Sequence, residues 1–98
     1  MISLTTGPSN NYKVMRALCM RFKILITREL VLFKNNKQSE SELVINGMKL
    51  TEELKSDLDN VKLDEHEAIE RNQFINYIME SLDQEFDSIV LNLSTKLL

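Results

Sequence analysis

The stretch whose reading decides the fold is Phe74-Ile75-Asn76-Tyr77-Ile78-Met79-Glu80-Ser81-Leu82-Asp83-Gln84-Glu85-Phe86-Asp87-Ser88-Ile89-Val90. Ile75, Ile78, Met79 and Leu82 recur at helical spacing, and so do Phe86, Ile89, Val90, Leu93 and Leu97. Between the two series lies a corner at residues 81–83. Asp83 stands where a side-chain oxygen can accept the free N–H groups of a following helix. The stretch therefore predicts a helix, a tight turn and the start of another helix, with Ile78, Leu82, Asp83, Phe86 and Val90 holding the corner together.

Working outward, the same periodicity runs through most of the chain. Residues 12–34 read as one long helix. At about 100° per residue, Met15, Leu18, Cys19, Phe22, Leu25, Ile26, Leu30 and Phe33 share a face. Most basic residues of the segment point elsewhere. Ile24 and Val31 fall on the basic side and mark a second apolar surface. Asn35-Asn36-Lys37-Gln38 reads as a turn. Ser39 and Glu42 then have the spacing of a capping box, and Asp64 and Glu67 repeat it. After the first box, Leu43, Gly47, Leu50, Leu54 and Leu58 form a stripe. After the second, a helix runs to about Leu82, and a last one is expected over 84–96.

The expectation is an all-α domain of about four short amphipathic helices. Short loops make sequential helices antiparallel neighbours, as in a bundle. Residues 1–11, with Gly7-Pro8-Ser9-Asn10-Asn11, are expected as a frayed arm ending in an N-cap at Asn11. Residues 12–98 form a single domain. A rival reading places β-hairpins at Lys23-Ile24-Leu25-Ile26-Thr27 with Leu30-Val31-Leu32-Phe33-Lys34, and at Asn46-Gly47, a strong hairpin dipeptide. Strict alternation is missing around Asn46-Gly47, and helical stripes run through both places.

Bulk composition sets the frame. The chain has 98 residues, 43% of them hydrophobic and 28% charged, with two glycines and one proline. That suits one modest helical core, burying roughly 60–65% of the unfolded surface. The net charge of −3 conceals a split. Residues 12–37 carry seven basic residues against Glu29, whereas residues 38–87 carry fourteen acids against four bases, leaving +6 and −10. Opposite fields on one chain favour docking within the molecule or head-to-tail association between copies.

His66-Glu67-Ala68-Ile69-Glu70 begins like a zinc-protease motif, but Glu70 replaces the second histidine and the chain has no other. Zinc sites take three or four protein ligands, mostly nitrogen or thiolate. The acids near residues 57–64 lack calcium-loop spacing. Cys19 is the only cysteine; Arg16 and Arg21 lie close in sequence, but no general base does, and a small buried residue is the plainer reading. No glycine-rich phosphate loop or nucleophile elbow occurs. Neither catalytic residues nor a cofactor, metal or small-molecule substrate is expected. Lys13, Arg16, Arg21, Lys23 and Arg28 could contact phosphates, giving weak electrostatic RNA binding. The competing reading is a solvated face or a dock for the acidic half. There is no signal-peptide pattern and no run of about 20 apolar residues, so a cytoplasmic protein without a membrane span is expected.

The ordered set of motifs resembles the Gag polyprotein of copia-type long-terminal-repeat retrotransposons, in its capsid-like helical region. Arg28-Glu29-Leu30 with Leu32-Phe33-Lys34 looks like the family's R-x-L-x-x-hydrophobic-K helix. Ser39-Glu40-Ser41-Glu42-Leu43 looks like its S-x-x-E cap, and Leu50-Thr51-Glu52-Glu53-Leu54 like its L-x-x-x-L element. Residues 78–90 resemble its I-L-x-x-L-P-x-E-Y-x-x-x-V corner, with Asp83 in place of proline and Phe86 in place of tyrosine. The family's upstream tryptophan segment and downstream zinc knuckle have no counterpart here, so a partial domain is expected. The resemblance implies a non-enzymatic structural protein that self-associates. Apolar residues left outside the core would supply the contact, with Ile24, Val31, Leu91 and Leu98 as candidates. The alternative is a small helical adaptor that binds a partner helix.

Overall fold

The computed structural model describes residues 10–82, and all the regular structure in that range is helical. Helix α1 spans Asn10–Lys34, α2 spans Glu40–Asp59 and α3 spans Glu65–Glu80. The all-α expectation holds, with three helices among the described residues against about four expected. The helix expected over 84–96 lies outside the described residues, as do Asp83, Phe86, Val90, Leu91 and Leu98.

Helix α1 begins at Asn10, so Asn11 sits in its first turn rather than capping it. Helix starts shift easily by a residue or two, because several early N–H groups can be satisfied in more than one way. The other punctuation is as the sequence indicates. At the end of α1, Asn36 adopts φ 59°. The Lys37 N–H then reaches back to Leu32 O at 2.8 Å and the Asn36 N–H to Phe33 O at 3.0 Å. This is the Schellman arrangement, with asparagine tolerating the left-handed conformation. Ser39 caps α2: its Oγ accepts from the Glu42 N–H at 3.1 Å, and Glu42 Oε1 accepts from the Ser39 N–H at 3.3 Å. Asp64 and Glu67 repeat the reciprocal pair at the start of α3, at 2.8 and 3.2 Å. Each cap is worth about 1 kcal/mol relative to alanine. Helix α3 ends at Glu80, and the Ser81 and Leu82 N–H groups turn back onto the carbonyls of the last turn.

The rival hairpins are absent: both β-prone runs lie inside α1, and Asn46-Gly47 lies inside α2. Hydrophobic burial at 3.6-residue spacing outweighs local strand propensity here.

Helix α1 is the centre of the described unit. Helices α2 and α3 both pack on it and make little contact with each other. Helix α2 runs antiparallel to α1. Near its start, Asn46 and Lys49 border the same groove as Arg28 and Glu29; further along, Glu53 meets Arg21. The connection is clamped by Gln38, whose Nε2 donates to Glu29 O at 2.8 Å and whose Oε1 accepts from Asn46 Nδ2 at 3.3 Å. Helix α3 meets the N-terminal half of α1, where the Arg16 guanidinium lies 5.0 Å from the centre of the Phe74 ring.

The core takes Met15, Cys19, Phe22, Ile26 and Leu30 from α1, with Leu43, Leu54 and Leu58 from α2. Ile75, Ile78, Met79 and Leu82 complete it. All but Leu50 of the expected α2 stripe is buried; Leu50 is half-buried at the edge. Thr51 is buried in its place. Its hydroxyl donates to Met48 O at 2.8 Å, so its burial leaves no unmatched donor. Gly47 is fully within α2 with ordinary helical φ, on the buried face. Its missing side chain serves close packing at that point rather than a turn.

Candidate association surface

The surface features of α1 follow from its angular order. The buried residues occupy one side. On the opposite side, Ala17, Met20, Ile24, Thr27 and Val31 succeed each other at intervals of three and four residues, all exposed. Met20 is 42% exposed, Ile24 66% and Val31 48%. This three-four alternation is the spacing of a helix–helix seam. Helix α1 thus carries two apolar stripes, one used by the core and one facing out. Of the four residues singled out for association, Ile24 and Val31 stand on this outer stripe. Met20 belongs with them and was not recognised from the sequence; its position four residues before Ile24 is the signal that identifies it.

The basic residues flank the stripe. Arg16 and Lys23 lie along one edge and Arg21 and Arg28 along the other, with Lys13 near its N-terminal end. They therefore do not gather into one phosphate-tracking row. Two are already engaged within the molecule. Arg21 Nη1 stands 3.8 Å from Glu53 Oε1, an exposed pair between the basic and acidic halves. Such pairs contribute at most about 1 kcal/mol. Arg16 lies over Phe74 and, at 6.0 Å, over Tyr12. A cation over an aromatic face is worth about 0.5–1 kcal/mol at exposed sites.

A second exposed apolar pair lies on α3, where Ile69 is 57% and Tyr77 63% exposed. They are eight residues apart, two turns along one side of the helix. The neutral Gln73 lies between them, one turn from each, and Glu65, Glu70 and Glu80 supply the charge on that side. Helix α3 has Glu65, Glu67, Glu70 and Glu80 against the single base Arg71. Helix α2 has one exposed large apolar residue on its outer side, Ile45.

The remaining clusters are accounted for by packing. Cys19 is fully buried, with its Sγ 4.0 Å from Met15 Sδ. Burial pushes its thiol up from 9.0 to about 11, opposed in part by the positive charge of Arg71 on α3. The thiol is thus protonated near neutral pH, and Arg71 rather than its sequence neighbours Arg16 and Arg21 is the arginine that acts on it. His66 Nε2 lies 3.6 Å from Glu70 Oε1, an exposed pair one helical turn apart. Among the described residues, no group of three or more His, Cys, Asp or Glu is placed to hold a metal ion. The grooves between helices are open. The one lined by Leu18, Leu25, Leu50 and Leu54 is crossed by the Arg21–Glu53 pair. No buried side-chain polar atom among the described residues lacks a partner, so nothing polar waits there for a ligand. No helix among the described residues is long and apolar enough to cross a membrane.

Comparison of the chain with protein-family models, with curated proteins and with solved structures found no match in any of the three. The likeness to copia-type Gag rests on the motifs quoted above.

Proposed function

We propose that this chain is a non-enzymatic structural protein of the cytoplasm that associates with copies of itself, in the manner of a capsid-like Gag domain. The observation that carries this reading is the outer stripe of α1. Met20, Ile24 and Val31 lie in one line on the central helix, exposed and at seam spacing. A helix whose two opposite faces are both apolar is suited to bury both. The order of the Gag-like motifs along the chain supports the same reading. The separation of basic α1 from acidic α2 and α3 supplies fields that orient copies as they meet.

Light scattering after size exclusion, from micromolar to about millimolar, tests the proposal; that range spans even weak association. The mass should rise with concentration above the 11.4 kDa of one chain. A single-chain mass throughout rejects self-association. In that case, a steep loss of RNA affinity with rising salt would point to phosphate binding instead, and capture of a partner amphipathic helix to an adaptor.

A further inference from the structure

The geometry points to a head-to-tail contact in which the outer stripe of α1 seats the outer face of α3 from the next copy. This inference rests on the self-association reading and names its two surfaces. Three observations select the pair. First, both faces expose large apolar residues: Met20, Ile24 and Val31 on α1, and Ile69 and Tyr77, on either side of Gln73, on α3. Second, their surroundings are opposite in sign. Helix α1 has six bases and one acid, whereas α3 has four acids and one base. Two α1 stripes meeting each other would set basic edges against basic edges, and juxtaposed like charges are strongly disfavoured at an interface. Third, the outer face of α2 is the poorer mate, because Ile45 is alone and Lys49 follows it one turn on.

The placement of the two faces decides what such a contact builds. Helix α3 lays its buried side on α1, so its outer face looks away from α1. The outer stripe of α1 looks away from the core that α3 helps to form. The two faces therefore open in different directions on one copy. A contact between unlike faces is heterologous, and it leaves one face of each kind free at the ends. It extends into a chain or closes into a ring of several copies rather than stopping at a two-fold dimer.

The test blocks one face at a time. Ile24→Gln with Val31→Gln removes the α1 centre; Ile69→Gln with Tyr77→Gln removes that of α3. All four positions are exposed, and helicity by circular dichroism should match wild type. Each double variant alone should remain at the mass of one chain at concentrations where wild type assembles. An equal mixture should reach the mass of two chains and stop, because only one intact pair of faces remains. Wild-type assembly should also weaken severalfold in about 1 M salt, where exposed charges are screened beyond about 3 Å. An α3 variant that assembles like wild type overturns the inference while leaving self-association standing. So does a mixture that stays monomeric while wild type assembles. Wild type that is monomeric at every concentration overturns both.

Discussion

The two sides of α1 make the most instructive comparison in the molecule. Each carries apolar residues in a three-four alternation on the same backbone. Met15, Cys19 and Ile26 have no exposed surface, whereas Ile24, two residues from Ile26, is 66% exposed. Periodicity puts Ile24 on the basic side, but periodicity alone does not produce the difference in exposure. It arises because the leucine stripes of α2 and the isoleucines of α3 have only one side of a cylinder to cover, and choose the wider and bulkier one. The inner side adds Phe22 and Leu30, with Leu18 and Phe33 packed at its margins. The outer stripe is narrower and edged by arginine and lysine, so covering it within the chain would bury charge.

The largest effect that could break this comparison is a truncation on the inner side. Phe22→Ala should cost about 3–5 kcal/mol, enough to unfold much of a domain whose total stability is about 5–15 kcal/mol. Ile24→Ala, two residues away, should change monomer stability by less than about 0.5 kcal/mol. Urea unfolding of both at low concentration measures the contrast. Equal losses would mean that the outer stripe is covered in the monomer.

A smaller effect carries the comparison to α2. Gly47 is buried, whereas Ile45 on the other side of the helix is 53% exposed. Gly47→Leu forces a side chain into the packed face and should destabilise by about 1–3 kcal/mol. It should do so despite a helix propensity about 1 kcal/mol better than that of glycine. Ile45→Leu should be close to neutral. A Gly47→Leu protein as stable as wild type would show that α2 does not pack closely through Gly47.

The smallest effect concerns Cys19 and its pH dependence. In the folded chain the thiol keeps its proton up to about 11, against 9.0 without the protein environment. The folded state therefore holds a proton that the unfolded state releases first. Stability from this group is complete below pH 9 and declines as pH rises toward 11. Cys19→Ala should remove that part of the alkaline loss, seen as a smaller fall in unfolding free energy between pH 8 and pH 10.5. If the native thiol reacts with a thiol reagent as fast as it does in urea, the inner side of α1 is open and the comparison fails.

How far each element was legible depends on the range of the forces that set it. The Ser39–Glu42 and Asp64–Glu67 boxes, the turn at Asn36 and the end of α2 near Asp59 were readable because a cap is a contact between near neighbours. Thr51 was not recognised as a core residue. Its polarity argues for exposure, and only a carbonyl one turn back, paired with the hydroxyl inside the helix, makes burial inexpensive. Leu50 falls on the expected stripe yet lies half-buried at its edge, since a hydrophobic residue near the edge of a face is ambiguous until the neighbour's angle is known. The Ile69 and Tyr77 pair was missed for a related reason. On α3 the sequence offers apolar residues on several sides, and only the packing of Ile75, Ile78 and Met79 shows which side is left over.

By itself, then, the sequence determined the helical class, the separation of basic and acidic segments, and the two-sided apolar pattern of the first helix. Those properties follow from residue spacing and capping, which act within a turn or two of the chain. The tertiary structure alone decided that α2 and α3 both pack on one side of α1, that Arg71 rather than Arg16 or Arg21 acts on Cys19, and that Met20 joins Ile24 and Val31 on the outside. These depend on which faces meet across space, and hydrophobic burial rewards any good pairing without direction. The choice among pairings is made by shape and charge over the whole assembled surface.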